Sequence, residues 1–247
     1  MEIRKLVGNK KFDTFCGNVE NSINQMVFGL NSELKGLFLA ETAKGGVLVS
    51  KDLASSTKIA QMTSAAGLKS RFITTPFENA LGLVDNSLKA DFVAAINEFL
   101  LGEIDLIITS PDALFQKIPN PKNILDNILV FEKDGDYDLN SLAKTLTEKG
   151  YTRTEFVAAK GQFTLKGDTL QIYPIASENI YKLEFFDTQL EKISEISADE
   201  KKFVKNIEKL KIYDLKFSAD TAKNQLDKDF FNLLDLSDKI FLGFGIF

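Results

Sequence analysis

One segment of the sequence approaches the spacing of a nucleotide-binding loop. A P-loop reads G-x-x-x-x-G-K-[ST] between a strand and a helix, where its backbone N–H groups and lysine bind phosphates and its hydroxyl binds Mg²⁺. The segment GLNSELKG keeps Gly29 and Lys35, but Leu34 replaces the second glycine and Gly36 replaces the hydroxyl residue. Glu33 adds negative charge where phosphates would lie. We expect a degenerate loop that does not bind ATP, and chance similarity is the alternative.

Other catalytic chemistry has little support in the sequence. The 247 residues contain no histidine, which removes the commonest general base and metal ligand and every Ser-His or Cys-His nucleophile. The single cysteine, Cys16, excludes an internal disulfide and is expected to be buried. The run IDLIITSPD offers only Asp105 and Asp112, which is not a Walker B pattern. We expect no catalytic residue, metal or cofactor, although a P-loop ATPase or helicase lobe remains the enzymatic alternative.

The elements around this loop alternate between short apolar strands and helices. Such alternation is typical of βαβ units with a mainly parallel sheet. The predicted strands are 25–28, 47–50, 71–74 and 104–109, and the predicted helices are 12–26, 33–42, 52–66 and 88–101.

A different period follows in residues 160–187. Apolar residues occupy every second position of three runs separated by Gly167-Asp168 and by residues 174–179, which predicts three antiparallel strands with one polar face. The apolar positions are Phe163, Leu165, Leu170, Ile172, Tyr181, Leu183 and Phe185. Residues 127–133, 190–196 and 209–216 are also predicted strands, 139–149 and 219–236 helices, and 197–205 a charged helix or linker. An ordinary β-meander without a partner is the alternative.

Composition and charge restrict the partners. An apolar content of 44% and a charged content of 26% are ordinary for a soluble globular protein, with no membrane-length apolar run or signal-peptide core, so a cytoplasmic location and no membrane contact are expected. Residues 125–200 hold 8 basic and 15 acidic side chains, a net charge of −7. This favours a protein partner over nucleic acid, and a non-catalytic DNA-binding domain is the weaker alternative. The apolar run 240–247 suggests a piece of a longer protein, or else a last strand buried in the sheet.

The string G-x-F-x-x-K-G-D-x-x-x-I-Y-P, followed by K-L-E-F-F-D, resembles the second domain of the excision-repair UvrB proteins and the matching domain of the transcription-repair coupling factors. The runs GGVLVSKDLASSTKIAQM and GEIDLIITSPDALFQKIP resemble the first lobe of the same family. The resemblance implies an α/β fold with a degenerate RecA/P-loop-like parallel sheet in residues 1–124. It also implies a small antiparallel β-rich α+β domain, like UvrB domain 2, in 125–198 and a return segment, 199–247, packing on the first domain.

The resemblance also implies a function. The chain would be a non-catalytic UvrB-like module that docks the repair protein UvrA and so couples stalled transcription to DNA repair. RNA polymerase and DNA would be engaged only through other parts of a longer parent protein, which would carry the ATP-dependent translocase. The tyrosine-rich DNA-probing hairpin of UvrB has no counterpart here.

Carried over position by position, the resemblance implies four partner-binding residues, Arg153, Thr164, Lys166 and Glu184. Two of them depart from the family, because arginine is expected at the positions of Thr164 and Lys166. Lysine lacks the planar fork that binds a carboxylate through two hydrogen bonds. Gln171 likewise stands where an acidic residue is usual.

Each charged member of this set also has a purely structural interpretation. Arg153 could cap the helix predicted to end near Lys149, and Lys166 could be a solvated hairpin charge. Glu184 could pair across strands with Lys166 or with Lys182.

Overall fold

The computed structural model describes residues 10–21, 32–74, 86–216, 230–237 and 240–243. The chain divides into two compact units, one formed by residues 1–121 with 228–247 and the other by residues 122–227. Together they give a mixed α/β protein with both parallel and antiparallel sheets. This confirms the coarse fold class predicted from the sequence.

The first unit contains a four-stranded parallel sheet with the strand order β14 (Ile240–Gly243), β1 (Gly46–Ser50), β3 (Leu106–Thr109) and β2 (Ser70–Ile73). Every residue of β1 and β3 is buried, as is usual where a parallel strand is covered on both faces. The elements are α1 (Lys10–Glu20), α2 (Ser32–Thr42), β1 (Gly46–Ser50), α3 (Leu53–Ala65), β2 (Ser70–Ile73), α4 (Asn86–Leu100), β3 (Leu106–Thr109), a 3₁₀ turn (Ala113–Phe115), β4 (Ile118–Pro119), β13 (Phe230–Phe231), a 3₁₀ turn (Leu233–Leu236) and β14 (Ile240–Gly243).

The second unit is built on a six-stranded sheet with the order β11-β10-β9-β8-β7-β6, antiparallel except for the short β6–β7 pair. A separate antiparallel pair joins β5 to β12. The elements are α5 (Pro121–Asp126), β5 (Leu129–Glu132), α6 (Leu139–Glu148), β6 (Thr152–Arg153), β7 (Gln162–Lys166), β8 (Thr169–Ile172), β9 (Asn179–Phe186), β10 (Gln189–Ser197), β11 (Phe203–Ile207) and β12 (Lys209–Ile212).

The three strands predicted in 160–187 are confirmed as β7, β8 and β9. One face of these strands joins a core that includes Phe163, Leu170 and Leu183, and the amphipathic helix α6 adds Leu142 and Leu146 to it. The alternation therefore identified the buried face correctly, because successive strand residues point to opposite sides of a sheet.

Two local predictions are wrong. Residues 203–205, predicted as part of a charged helix or linker over 197–205, belong to the edge strand β11, which is solvated along most of its length and so shows no apolar alternation. The described part of the helix predicted over 219–236 is a short strand and a 3₁₀ turn, and residues 217–229 lie outside the described residues. Strands β11 and β12 pair within the second unit.

Candidate partner-binding face and the degenerate loop

The face of the six-stranded sheet opposite its core carries rows of polar side chains. Directly opposed residues of antiparallel strands project to the same side, so the register defines each row. One row crosses β7 to β10 through Lys166, Thr169, Glu184 and Lys192, and the next crosses β7 to β11 through Thr164, Gln171, Lys182, Ser194 and Asn206. We call this surface the polar face. It brings together three of the four predicted partner-binding residues.

Glu184 is the centre of an ion-pair group on the polar face. Its carboxylate lies 2.6 Å from the ammonium of Lys182 on the same strand and 3.9 Å from that of Lys192 on β10. The pairing with Lys182 considered from the sequence is therefore present. Lys166 does not pair with Glu184, because Thr169 of β8 stands between them in the row.

Thr164 and Lys166 differ in what they offer to a partner. Thr164 is only 7% exposed, so a docking protein could contact little of its side chain in this conformation. Lys166 is exposed, and its ammonium lies 4.5 Å from the centre of the Phe156 ring, within the range of a cation–π interaction. Phe156 was not among the predicted residues, and its only signal in the sequence is an aromatic residue close to Arg153 in the segment between two strands.

Arg153 lies on β6, at the edge of the sheet. Its guanidinium Nη2 donates a hydrogen bond to the carbonyl oxygen of Leu165 at 3.3 Å. The role of helix cap considered for Arg153 is wrong, because Lys149 occupies the C-cap of α6 and donates its ammonium to the Asn127 carbonyl. The register pairs Arg153 with the core residue Phe163, so Arg153 does not belong to the rows of the polar face.

The predicted degenerate loop is only partly described. Gly29 and the strand predicted over 25–28 lie outside the described residues, whereas Leu34, Lys35 and Gly36 lie within α2. A Cβ atom at Gly36 would lie 2.7 Å from the carbonyl oxygen of Met62 in α3. The glycine is therefore required by the close approach of α2 and α3, which explains this residue without a nucleotide.

Asp105, one of the two carboxylates that flank the apolar strand β3 in the sequence, has a structural environment. Asp105 accepts a hydrogen bond from the backbone N–H of Lys69 at 3.0 Å and lies 3.1 Å from the ammonium of Lys44. Burial raises the pKa of Asp105, but these two partners outweigh burial and leave its pKa below the ordinary value. Such an ionised, paired carboxylate fixes the start of β3.

Other potentially reactive groups give no further site. Cys16 is buried, as predicted. Burial also raises the pKa of the Tyr151 phenol, so this side chain stays neutral in the core. Within the described ranges no group of three or more His, Cys, Asp or Glu side chains is arranged to hold a metal ion. Among the helices that the structure describes, none combines the length and apolar character of a membrane span.

The polar face lies in a part of the chain that matches a known protein family. Residues 129–216 match the UvrB interaction domain. That range contains the strands from β5 to β12 and hence the whole of the polar face. This segment is therefore similar to a UvrB interaction domain, as the sequence motif indicated.

Individual relatives come from the same two groups of repair proteins. The chain is 24% identical over 196 residues to the transcription-repair-coupling factor of Bacillus subtilis, which covers 76% of the chain and 17% of that protein. It is 31% identical over 115 residues to UvrABC system protein B of Fusobacterium nucleatum, covering 46% of the chain and 17% of the relative. It is 32% identical over 92 residues to the transcription-repair-coupling factor of Borreliella burgdorferi, which covers 37% of the chain and 8% of that protein. The chain thus matches less than a fifth of the length of these relatives.

Proposed function

We propose that this chain is a non-catalytic docking module that binds the excision-repair protein UvrA and so serves transcription-coupled repair. The observation that carries the proposal is the polar face: an ordered, charged sheet surface inside the segment that matches a UvrB interaction domain. In this proposal Arg153 and Lys166 contact carboxylates of UvrA, and Glu184 contacts a basic group. Thr164, which is nearly covered, contributes little direct contact where the family has an arginine.

The ion pairs of the polar face suit a reversible interface. Glu184 is already paired with Lys182 and Lys192, so a partner would exchange these contacts rather than meet an isolated charge. Fixed, complementary charges give association its orientation and its speed more than its raw affinity. We therefore expect binding to weaken as salt is raised, because charges at the rim of an interface are screened within about 10 Å at 0.1 M ionic strength.

The test is a titration of purified UvrA with the 247-residue chain, comparing wild type with Arg153→Ala and Lys166→Ala. Removal of a buried charged contact typically costs about 2–5 kcal/mol of binding free energy, whereas an exposed charge contributes roughly 0–1 kcal/mol. Lys144→Ala is the matched control, since Lys144 is exposed on α6 and makes only an i,i+4 pair with Glu148.

Three outcomes are decisive for this proposal. Weaker binding by both variants, with unchanged binding by the control, supports the assigned residues. Wild-type affinity in both variants refutes the residue assignment, and absence of binding by the wild-type chain refutes the function.

Two other functions receive less support. An ATPase or helicase lobe requires a phosphate loop, and the segment ending at Gly36 lacks its second glycine and its hydroxyl. In our proposal the first unit is related to RecA-like domains, but its nucleotide loop has decayed and no longer binds ATP. Saturable binding in a titration with ATP and Mg²⁺ would contradict this part of the proposal. Direct DNA binding is disfavoured by the acidic charge of residues 125–200, and salt-sensitive retention of DNA by the chain would contradict that view.

The same proposal includes a cellular location and a set of companion domains, both inferred from the relatives of the chain. We place the chain in the cytoplasm, acting with a translocase that reaches RNA polymerase and DNA through other domains. The chain itself would then contribute recruitment alone. No cofactor is required for that role.

A further inference from the structure

The loop between β6 and β7 places an exposed aromatic ring beside the ammonium of Lys166, one of the two cations of the proposed docking site. Phe156 is 72% exposed, which is a large apolar surface to leave in water. The ammonium of Lys166 lies 4.5 Å from its ring centre, and Arg153 is held against the same strand by its hydrogen bond to Leu165. We call Arg153, Phe156 and Lys166 the cation–aromatic cluster.

Side chain–backbone hydrogen bonds hold this loop in place. The Thr154 hydroxyl donates to the carbonyl oxygen of Phe156 at 3.0 Å. The side-chain oxygen of Gln162 accepts from the N–H groups of Ala158 and Ala159 at 2.9 and 3.0 Å. The ring is therefore presented by an ordered segment, and a partner would meet it with little loss of conformational entropy.

The two cations of the cluster lack the carboxylate partners that neighbouring lysines have. Among the described residues neither Arg153 nor Lys166 makes an ion pair with a carboxylate. By contrast, four lysines of the same sheet and its loops are each within 4 Å of a carboxylate: Lys160, Lys182, Lys192 and Lys205. Two cations without a carboxylate partner, one of them against an exposed ring, are complementary to a protein surface that presents carboxylates around an apolar pocket.

We infer that Phe156 is the apolar anchor of the interface, inserted into a pocket of the partner whose rim carboxylates pair with Arg153 and Lys166. The inference rests on the proposed function, because the occupant is taken to be UvrA. Aromatic residues, phenylalanine among them, and arginine are enriched at protein interfaces, where a few anchor residues carry most of the binding energy. The cation–π contact also orients the Lys166 ammonium, so ring and cation act together.

The experiment measures the affinity of purified UvrA for the full 247-residue chain carrying Phe156→Ala, Lys166→Ala or both. Phe203→Ala is the matched control, since Phe203 is 60% exposed on β11 at the opposite edge of the same sheet. We expect Phe156→Ala to weaken binding about 10- to 30-fold and Phe203→Ala to leave it unchanged. We expect the double variant to lose less than the product of the two single losses, because removing either partner already removes their contact.

The failure of this inference can be separated from that of the proposed function. If the wild-type chain does not bind UvrA, the function and the anchor both fall. If the wild type binds and Phe156→Ala binds as tightly as Phe203→Ala, the anchor alone is refuted. If Phe156→Ala weakens binding but its effect multiplies independently with that of Lys166→Ala, the joint action of ring and cation is refuted. Circular dichroism of each variant checks that the exposed substitutions leave the fold intact.

Discussion

Replacing Gly36 by alanine should destabilise the first unit, although alanine is the better helix former. The added Cβ would lie 2.7 Å from the carbonyl oxygen of Met62 and 3.1 Å from its carbonyl carbon. A relaxed carbon–oxygen contact is roughly 3.3 Å or longer, so α2 and α3 would have to separate by about half an ångström. The Met62 carbonyl cannot easily tilt away, because it accepts the N–H of Ala66 at the end of α3.

The size of the effect follows from two opposing contributions. Overpacking of a close contact typically costs about 1–3 kcal/mol, whereas glycine to alanine within a helix gains roughly 0.5–1 kcal/mol. We therefore expect Gly36→Ala to lower the free energy of unfolding by about 1–2 kcal/mol. The packing contribution dominates because the obstacle is backbone and not the end of a flexible side chain.

Gly17 provides the control, because the same substitution there should have the opposite sign. Gly17 lies within α1, and a Cβ atom at this position would have no neighbour within 4 Å. Gly17→Ala should therefore stabilise the protein by roughly 0.5–1 kcal/mol through helix propensity and a less flexible unfolded chain.

The assay is urea unfolding followed by far-ultraviolet circular dichroism, with hydrogen exchange of the α2 and α3 amides to assign the change to the first unit. A Gly36→Ala protein as stable as wild type, or more stable, would refute the packing explanation of this glycine. The loop could then be reconsidered as a remnant kept for phosphate contact.

Two further predictions concern pH. Burial raises the pKa of Tyr151, so above the ordinary tyrosine value of about 10 the unfolded chain releases a proton that the folded protein keeps, and the free energy of unfolding falls as pH rises. The Tyr151→Phe variant should therefore lose less stability than the wild type between about pH 9 and pH 11. Equal shifts of the urea midpoint in the two proteins would contradict this prediction. The lowered pKa of Asp105 means that its ionised form supplies stability above the ordinary value of 3.8, which is lost as pH falls through the lower folded value. Asp105→Asn should lower the free energy of unfolding by about 1–2 kcal/mol at neutral pH, because its bonds to Lys69 and Lys44 are weaker. The variant should also lose less stability than the wild type as the solution is acidified. Urea midpoints that fall in parallel for the two proteins from about pH 6 to pH 3 would count against this prediction.

The strands that pack on a core were predictable, and those at the solvated edge were not. Phe163, Leu170 and Leu183 alternate with polar residues because one face of their strands is buried, and the pattern is visible in the sequence. Residues 203–207 lack such a pattern because β11 is exposed along most of its length. Its strand conformation depends on backbone pairing with β10, which side-chain periodicity does not record.

The candidate site was predictable in kind but not in arrangement. The motif around Lys166 and Glu184 indicated a resemblance to UvrB-type domains, and residues 129–216 match the UvrB interaction domain. It did not indicate that Glu184 would pair with Lys182 and Lys192, or that Lys166 would lie over Phe156. Such contacts join residues on different strands and loops, and they depend on register.

The sequence by itself determined the apolar patterns, the absence of histidine chemistry and the motif of the interaction domain, since these depend only on residue type and spacing. The tertiary structure alone decided that Gly36 serves the contact between α2 and α3, and that Thr164 is covered while Phe156 is exposed. The physical reason is the same in each case: burial, charge pairing and close approach are properties of groups that are distant in sequence and meet only when the chain folds.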